Sequence, residues 1–148
     1  MSVAGFGYTE DQSDRVGYKK YDRSEFISSI SYNLNQSLSI DSKFILYKRD
    51  VVDRYSYAYE STDNIILVGA SYFQNNNIFF SFLIGNNEDS YKEYNYEYED
   101  TDFGWCGALG YRLKLSSAVS FDIGYYIYAW DNNNDPVNRL EFLIRMFL

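Results

Sequence analysis

Alternation of apolar and polar residues runs through most of the 148-residue chain and limits its possible folds more than any other feature. A two-residue period places every second side chain on one face of a β-strand, whereas a helix repeats every 3.6 residues. The C-terminal segment shows this period most clearly, with apolar residues at alternate positions from 140 to 148. The 17 Tyr and 11 Phe residues also favour strands. We therefore predict an all-β chain.

The alternation predicts eight strands in one domain, residues 1–148, joined by two kinds of connection that alternate along the chain. An up-and-down arrangement then places the tight turns at one end of an antiparallel barrel and the long loops at the other. The segment 64–73 is apolar on both faces, so its inward side stays unassigned. The tight connections are residues 35–36, 74–77 and 114–117, and the long polar ones are residues 11–21, 49–60, 86–101 and 131–136.

Side-chain volume indicates which face of each strand points into the barrel. The interior of an eight-stranded barrel is just wide enough for side chains to fill it. The apolar faces would overfill it, whereas the opposite faces are rich in Gly, Ser and Ala. We therefore predict a transmembrane barrel with its apolar face towards lipid. A soluble, calycin-like barrel that binds a small apolar ligand is the alternative. The large apolar-face residues are Phe80, Phe82, Phe103, Trp105, Phe121 and Tyr125.

The predicted inner face carries a small set of charged residues of both signs. Buried charges must pair, so we expect these side chains to form a network that fills the lumen. A narrow ion-conducting pore is the alternative for the same residues. The predicted lumen residues are Glu25, Asp41, Lys43, Arg112, Asp122, Arg139, Glu141 and Arg145.

Aromatic residues near the predicted strand ends suggest interfacial belts, in which Tyr and Trp lie at headgroup level. The residues concerned include Tyr32, Tyr47, Tyr72, Tyr111 and Trp130.

Composition argues against several classes of function. The chain has no His and one Cys, which removes the usual catalytic triads, dyads and His- or Cys-rich metal sites. A net charge of −8 without a basic patch argues against nucleic acid. The carboxylates of Asp41, Asp122 and Glu141 are chemically able to act as a general acid or base, but we expect them to form ion pairs with the lumen arginines instead. We predict no enzyme activity, no cofactor and no metal site.

Three segments resemble the small eight-stranded outer-membrane barrels of the OmpX/Ail type. Residues 100–113 resemble that family's sixth strand, and residues 119–125 resemble its seventh, with acidic residues inward and aromatic residues outward. The C-terminal alternation resembles the signal read by the outer-membrane assembly machinery, although the family usually ends in Phe or Trp. The residues of this signal are Leu140, Phe142, Ile144, Met146 and Leu148.

The resemblance implies a non-enzymatic barrel of the Gram-negative outer membrane that acts in adhesion, host interaction or envelope integrity. Its implied partners are the lipid bilayer, lipopolysaccharide, the assembly machinery and a host or surface protein. The sequence shows no leader, so we expect a mature chain from which one has been removed. Seven tyrosines in the long loops alternate with polar residues, a pattern that suggests a tyrosine-rich edge that extends the sheet beyond the membrane and contacts a partner. Tyrosines that lie at headgroup level or stiffen the loops are the alternative. The residues are Tyr55, Tyr57, Tyr59, Tyr91, Tyr94, Tyr96 and Tyr98.

A cluster of carboxylates overlaps the second of these tyrosine-rich loops. Carboxylate oxygens suit hard cations, so the cluster could bind Ca²⁺ or bridge cations to lipopolysaccharide. No EF-hand spacing is present, and a solvated loop is the simpler interpretation. The residues are Glu88, Asp89, Glu93, Glu97, Glu99, Asp100 and Asp102.

Overall fold

A computed structural model describes residues 2–14, 19–52, 58–75, 77–93, 95–131 and 133–147. These residues form long strands joined by short links. The strands are β1 (Ser2–Asp14), β2 (Lys19–Asn33), β3 (Leu38–Val52), β4 (Ala58–Gln74), β5 (Ile78–Glu93), β6 (Tyr96–Lys114), β7 (Val119–Trp130) and β8 (Asn133–Phe147).

Each strand pairs antiparallel with the next, which confirms the predicted all-β, up-and-down sheet. β8 returns to β1 through the register Ser2↔Phe147 to Ala4↔Arg145, so the sheet closes into a barrel. Across the part of the chain that the structure describes, no helix is long and apolar enough to span a bilayer.

The connections at the two ends differ less than the sequence predicts. The turn end carries residues 34–37 between β2 and β3, residues 75 and 77 between β4 and β5, and residues 115–118 between β6 and β7. At the other end, here called the extended end, the prediction of long loops is wrong. β5 and β6 stay paired from Asn86↔Phe103 to Glu93↔Tyr96, where residues 86–101 were expected to be loop. The hydrogen-bonded ladder therefore continues past the apolar part of both strands, and the polar residues there still alternate between the two faces of the sheet.

The apolar faces point outward on every strand whose side chains are described. Phe82 is 59% exposed and Leu109 52%, whereas Ser39, Ser120 and Asp122 on the opposite face are buried. The structure also assigns the sides of β4, with Ile65 and Leu67 inward and Ile66 and Val68 outward. The outward apolar stretch of β6 runs from Phe103 to Leu113. At about 3.3 Å per residue and a tilt of about 40°, it covers roughly 25 Å along the barrel axis.

Small inward residues make room for one large ring. Phe79 of β5 is 2% exposed, and a Cβ added at Gly110 would lie 2.2 Å from its ring. The same ring lies 3.0 Å from a Cβ placed at Gly124. Glycines on β6 and β7 therefore leave room for the Phe79 ring in the lumen, consistent with the volume argument.

The predicted aromatic belt needs a correction at the extended end. Tyr32, Tyr72 and Tyr111 are exposed near the turn end, as expected. Tyr47 is only 4% exposed, and both it and Trp130 line the interior of the barrel. Side chains two residues apart on a strand point to the same face. Tyr47 therefore points inward, because it lies two residues from Ile45 and four from Lys43, which are both buried.

Candidate functional site

The inward charges form three contact groups stacked along the lumen. The group nearest the turn end centres on Asp122 of β7. Arg112 donates two hydrogen bonds to it, from Nε to Oδ1 and from Nη2 to Oδ2, each 2.8 Å long. Arg145 donates from Nε to Asp122 Oδ2 at 2.5 Å and from Nη1 to Ser31 Oγ at 2.8 Å. One buried carboxylate therefore holds two guanidinium groups, one of them in the bidentate geometry that suits Arg.

The second group joins opposite walls at mid-height. Lys43 of β3 forms an ion pair with Glu141 of β8, and both side chains are 3% exposed. The Lys43 ammonium also donates to the Tyr128 hydroxyl at 2.6 Å and lies 3.7 Å from the centroid of the Tyr126 ring. Tyr128 donates its own proton to Glu141. These contacts cross the lumen rather than follow the hydrogen-bonded ladder.

Arg139 forms the third group, an ion pair with Glu25 of β2 nearer the extended end. Asp41 does not pair with a base in any contact that the structure describes. It accepts hydrogen bonds from Ser39 and Ser71 instead, and Ser71 lies 2.5 Å from Ser81. The eight predicted residues therefore all face the lumen, but Asp41 belongs to a serine cluster.

From Arg139 towards the extended end, the barrel wall lines an open cavity of about 500 Å³, here called the upper cavity. Its acidic wall comes from β4, β5 and β6, and Arg49 and Arg139 of β3 and β8 also line it. Tyr128 lines the cavity as well, and this residue is part of the Lys43 group. The lining residues are Tyr47, Arg49, Asp63, Ile65, Asn87, Asp89, Asp102, Tyr128, Trp130, Val137 and Arg139.

Asp63 and Asp89 are cross-strand partners on the acidic wall of the upper cavity. Both lie beyond the outward apolar band, since the outward neighbours of Asp63 are Thr62 and Asn64. Burial, a hydrogen bond with Asp89 and the like charge of Asp89 raise the pKa of Asp63 to about 7. Two carboxyl groups this close favour sharing one proton over both being ionised.

Sequence reasoning singled out only part of the lining of the upper cavity. Asp89, Asp102 and Arg139 were predicted site residues, and Tyr47 and Trp130 were predicted for the aromatic belt, whereas Arg49, Asp63 and Asn87 were missed. The two-residue period of β3 could have placed Tyr47 and Arg49 inward, because both lie an even number of residues from Lys43, which was predicted to face the lumen.

From the acidic wall of the upper cavity outward, β4, β5 and β6 continue as a protruding sheet, defined by residues 58–64, 86–93 and 95–102. Tyr59 and Tyr91 lie on its inner face with ring centroids 5.2 Å apart, and Tyr98 is the cross-strand partner of Tyr91. Tyr98 donates to Asp100 at 3.0 Å, and Tyr91 donates to Glu93 at 2.9 Å. Four of the predicted contact tyrosines, Tyr59, Tyr91, Tyr96 and Tyr98, therefore share the concave side. Tyr55, Tyr57 and Tyr94 lie outside the described residues.

The acidic residues of the protruding sheet divide between its two faces. Asp89, Glu93, Asp100 and Asp102 have the parity of the inner face, whereas Glu88, Glu97 and Glu99 have that of the outer face. Within the described residues, no group of three or more His, Cys, Asp or Glu side chains is arranged to hold a metal ion.

Residues of the predicted assembly signal share the outward face of β8. Leu140 is 58% exposed and Met146 56%, and Phe142 and Ile144 lie between them on the same face. Leu148 lies outside the described residues.

No protein-family model and no curated protein matches the chain. Solved structures do match it in fold, among them three small outer-membrane proteins. Ail of Yersinia pestis, crystallised with the heparin analogue sucrose octasulfate, is 12% identical with a TM-score of 0.63, over 98% of this chain and 94% of that one. NspA, a Neisserial surface protein, is 11% identical with a TM-score of 0.54, over 98% and 94%. OprG of Pseudomonas aeruginosa is 11% identical with a TM-score of 0.53, over 98% and 91%. The chain therefore has the fold of the small outer-membrane β-barrels, the OmpX/Ail type that its sequence resembles.

Proposed function

We propose that the chain is a non-enzymatic, integral β-barrel of the Gram-negative outer membrane that contacts partners through its protruding sheet. The observation that carries the proposal is the outward apolar band, with half-exposed Phe82, Leu109 and Leu140 around a charged interior. Exposed apolar surface of this extent is costly in water and favourable in lipid. A soluble barrel would have the opposite orientation, so the calycin-like alternative is not favoured.

The lumen charges act as a plug in this proposal. Among the described residues, three carboxylates form ion pairs with four basic side chains, and Asp41 accepts hydrogen bonds from serines. The Lys43–Glu141 pair joins β3 to β8, three strands away around the closed barrel, and the Arg139–Glu25 pair joins β8 to β2 past β1. Ion pairs of this kind fill the narrow interior of an eight-stranded barrel, which supports a plug over a pore.

The surface role rests on shape and charge at the extended end. Tyr96 lies seven residues beyond Phe103, so the strand reaches roughly 20 Å past the apolar band. The protruding sheet carries nine carboxylates and one lysine. Ail was crystallised with a sulfated ligand, and a surface this acidic repels polyanions. We therefore assign a basic protein surface on a host or neighbouring cell as the partner, with Tyr96 and Tyr98 as exposed contact residues.

Two further contacts complete the proposal. Lipopolysaccharide surrounds the barrel where the apolar band ends below the protruding sheet. The outward row Leu140, Phe142, Ile144 and Met146, together with Leu148, is the signal that the assembly machinery reads during insertion.

Refolding tests membrane insertion directly. We expect the urea-unfolded chain to refold in detergent micelles, giving a β-type circular dichroism spectrum and an unboiled gel band that migrates differently from the boiled one. Without detergent the apolar band stays exposed, so we expect aggregation in plain buffer. A monodisperse β-sheet protein in plain buffer would overturn the proposal.

Adhesion tests the surface role separately. In cells that display the chain, the double variant Tyr96→Ala/Tyr98→Ala should bind epithelial monolayers at least fivefold less well, because aromatic contacts of this kind dominate interface energy. The matched control is Tyr32→Ala/Tyr72→Ala, which removes two exposed tyrosines near the turn end. The heat-shifted band verifies folding of both variants. Equal adhesion by all three proteins would show that the extended-end tyrosines are not contact residues.

A further inference from the structure

A groove, here called the outer groove, lies on the outward face of β4 and β5 at the upper margin of the apolar band. Its volume is about 230 Å³. Its lower part is apolar and continues the lipid-facing surface, because Ile66, Val68 and Ile84 are each about half exposed. An acyl chain therefore suits this part of the groove. The lining residues are Asn64, Ile66, Val68, Ile84, Gly85, Asn86 and Glu88.

Gly85 keeps the middle of the outer groove open. This residue contributes only backbone atoms to the lining. A Cβ added there would collide with the carbonyl oxygen of Ile66 on the neighbouring strand. The close approach of β4 and β5 at this point therefore requires glycine.

Asn86 is a polar side chain within an apolar row of the outward face. Its cross-strand partners are Ile66 of β4 and Phe103 of β6, and both are 51% exposed. Ile84, two residues earlier on the same face of β5, is also exposed. The Asn86 side chain is exposed and has no hydrogen-bond partner among the described residues. An amide that faces lipid without a partner is costly, so this position favours a lipid that supplies one.

The Asn86 side chain also restricts the chemistry of that lipid. Its N–H₂ group donates hydrogen bonds and its carbonyl oxygen accepts them. The ester linkages of a phosphoglyceride only accept, so they leave the Asn86 oxygen without a donor. An amide-linked acyl chain has one N–H donor and one carbonyl acceptor, so it matches both parts of the asparagine side chain.

The polar margin of the outer groove favours hydroxyl groups over phosphate. Glu88 follows Asn86 on the same face of β5, and its cross-strand partners are the uncharged Asn64 and Thr101. An ionised carboxylate accepts hydrogen bonds from hydroxyl groups and repels a phosphate. Among the described residues, no Lys or Arg lines the groove. The margin therefore suits the sugar of a glycolipid better than its phosphate groups.

We propose that the outer groove binds an N-acylated glycolipid, the lipid anchor of lipopolysaccharide, with one acyl chain in the groove and its amide linkage on Asn86. The inference rests on the proposed function, in which the chain spans the outer membrane with its extended end outward. In that orientation the groove lies in the outer leaflet, which contains lipopolysaccharide. The inference deepens the proposed function because it names the contact site and the chemical linkage that the site recognises.

Fluorescence quenching by brominated lipids tests the site. Trp105 is the cross-strand partner of Ile84 and is 42% exposed on the outward face, so it reports on acyl chains at the groove. The variant Trp130→Phe leaves Trp105 as the single tryptophan and serves as the parent protein. The probes are phosphatidylethanolamine vesicles that contain either a chain-brominated N-acyl glucosamine lipid or its O-acyl ester analogue. We expect the amide lipid to be enriched at Trp105 roughly fivefold over the ester lipid, as one net hydrogen bond provides.

Asn86→Leu should bring the two lipids to equal enrichment while both still quench Trp105. The matched control is Asn138→Leu, which removes an exposed asparagine from the outward face of β8, away from the groove. It should keep the preference for the amide lipid. The heat-shifted band verifies folding of all three proteins.

Three results would overturn the proposal: equal enrichment of the two lipids in the parent protein, an undiminished preference in Asn86→Leu, or an equal loss in Asn138→Leu. Absence of quenching by both brominated lipids would show that the outward face does not meet acyl chains. That result would overturn the membrane barrel itself and the glycolipid site with it, so the two failures are distinguishable.

Discussion

Replacing Asp122 by alanine should destabilise the barrel by about 3–5 kcal/mol, the cost of breaking a buried ion pair from one side. Asp122 is 1% exposed and accepts hydrogen bonds from both Arg112 and Arg145. Its removal leaves two guanidinium groups in a closed lumen without their carboxylate. Urea unfolding of the micelle-refolded protein, followed by circular dichroism, measures the change.

Asp131→Ala is the control for Asp122→Ala, because Asp131 is exposed just after the same strand. A change within about 0.5 kcal/mol is expected there. The triple variant Asp122→Leu/Arg112→Met/Arg145→Met should recover most of the lost stability, since apolar side chains can replace a buried ionic group at little cost. An Asp122→Ala barrel as stable as the original would show that the arginines find other partners or water in the lumen.

Replacing Leu109 by arginine should lower the free energy of unfolding in a lipid bilayer by about 2–4 kcal/mol. Leu109 is 52% exposed and lies near the middle of the outward apolar face of β6. Its cross-strand partners Phe80 and Tyr125 are also apolar and exposed, so they offer the guanidinium no counter-charge. Reversible unfolding in lipid vesicles, followed by tryptophan fluorescence, gives the difference.

Thr101→Arg provides the comparison on the same face of the same strand, since Thr101 is exposed beyond the apolar band. The cost there should be only about 0–1 kcal/mol, as expected outside the hydrocarbon region. Both residues lie on the outward face of β6, so the difference between the two free-energy costs depends on their depth in the bilayer. Equal effects at Leu109 and Thr101 would mean that the outward face does not meet hydrocarbon.

Alternation predicted the orientation of most side chains because a strand places neighbouring residues on opposite faces. Tyr125 and Tyr126 show this on β7, and Leu46 and Tyr47 show it on β3. The rule could not assign β4, where both faces are apolar at Ile65 and Ile66. Packing against neighbouring strands settled that choice.

The extended strands show where hydropathy fails to mark the end of a strand. The alternation of Tyr91 and Tyr98 with polar residues is compatible with a sheet that extends beyond the membrane, but both faces there are hydrophilic, so residues 86–101 are predicted as a loop. Hydrogen bonding continues through this region, and the tyrosines lie on one side of the sheet. Backbone pairing requires no apolar face once the strand has left the lipid, so hydropathy could not mark the end of the strand.

The sequence by itself determined the strand class, the outward apolar face and the residues that supply the lumen charge, because all three depend on a local two-residue period. Only the tertiary structure decided the partners. Barrel closure and strand stagger bring Arg145 to Asp122 and Lys43 to Glu141, and they leave Asp41 with serines. The same stagger brings Asp63, Asp89 and Arg49 to one height around the upper cavity. Contacts across a lumen join residues far apart in sequence, and the relative shift of the strands, which no local pattern encodes, determines which of them meet.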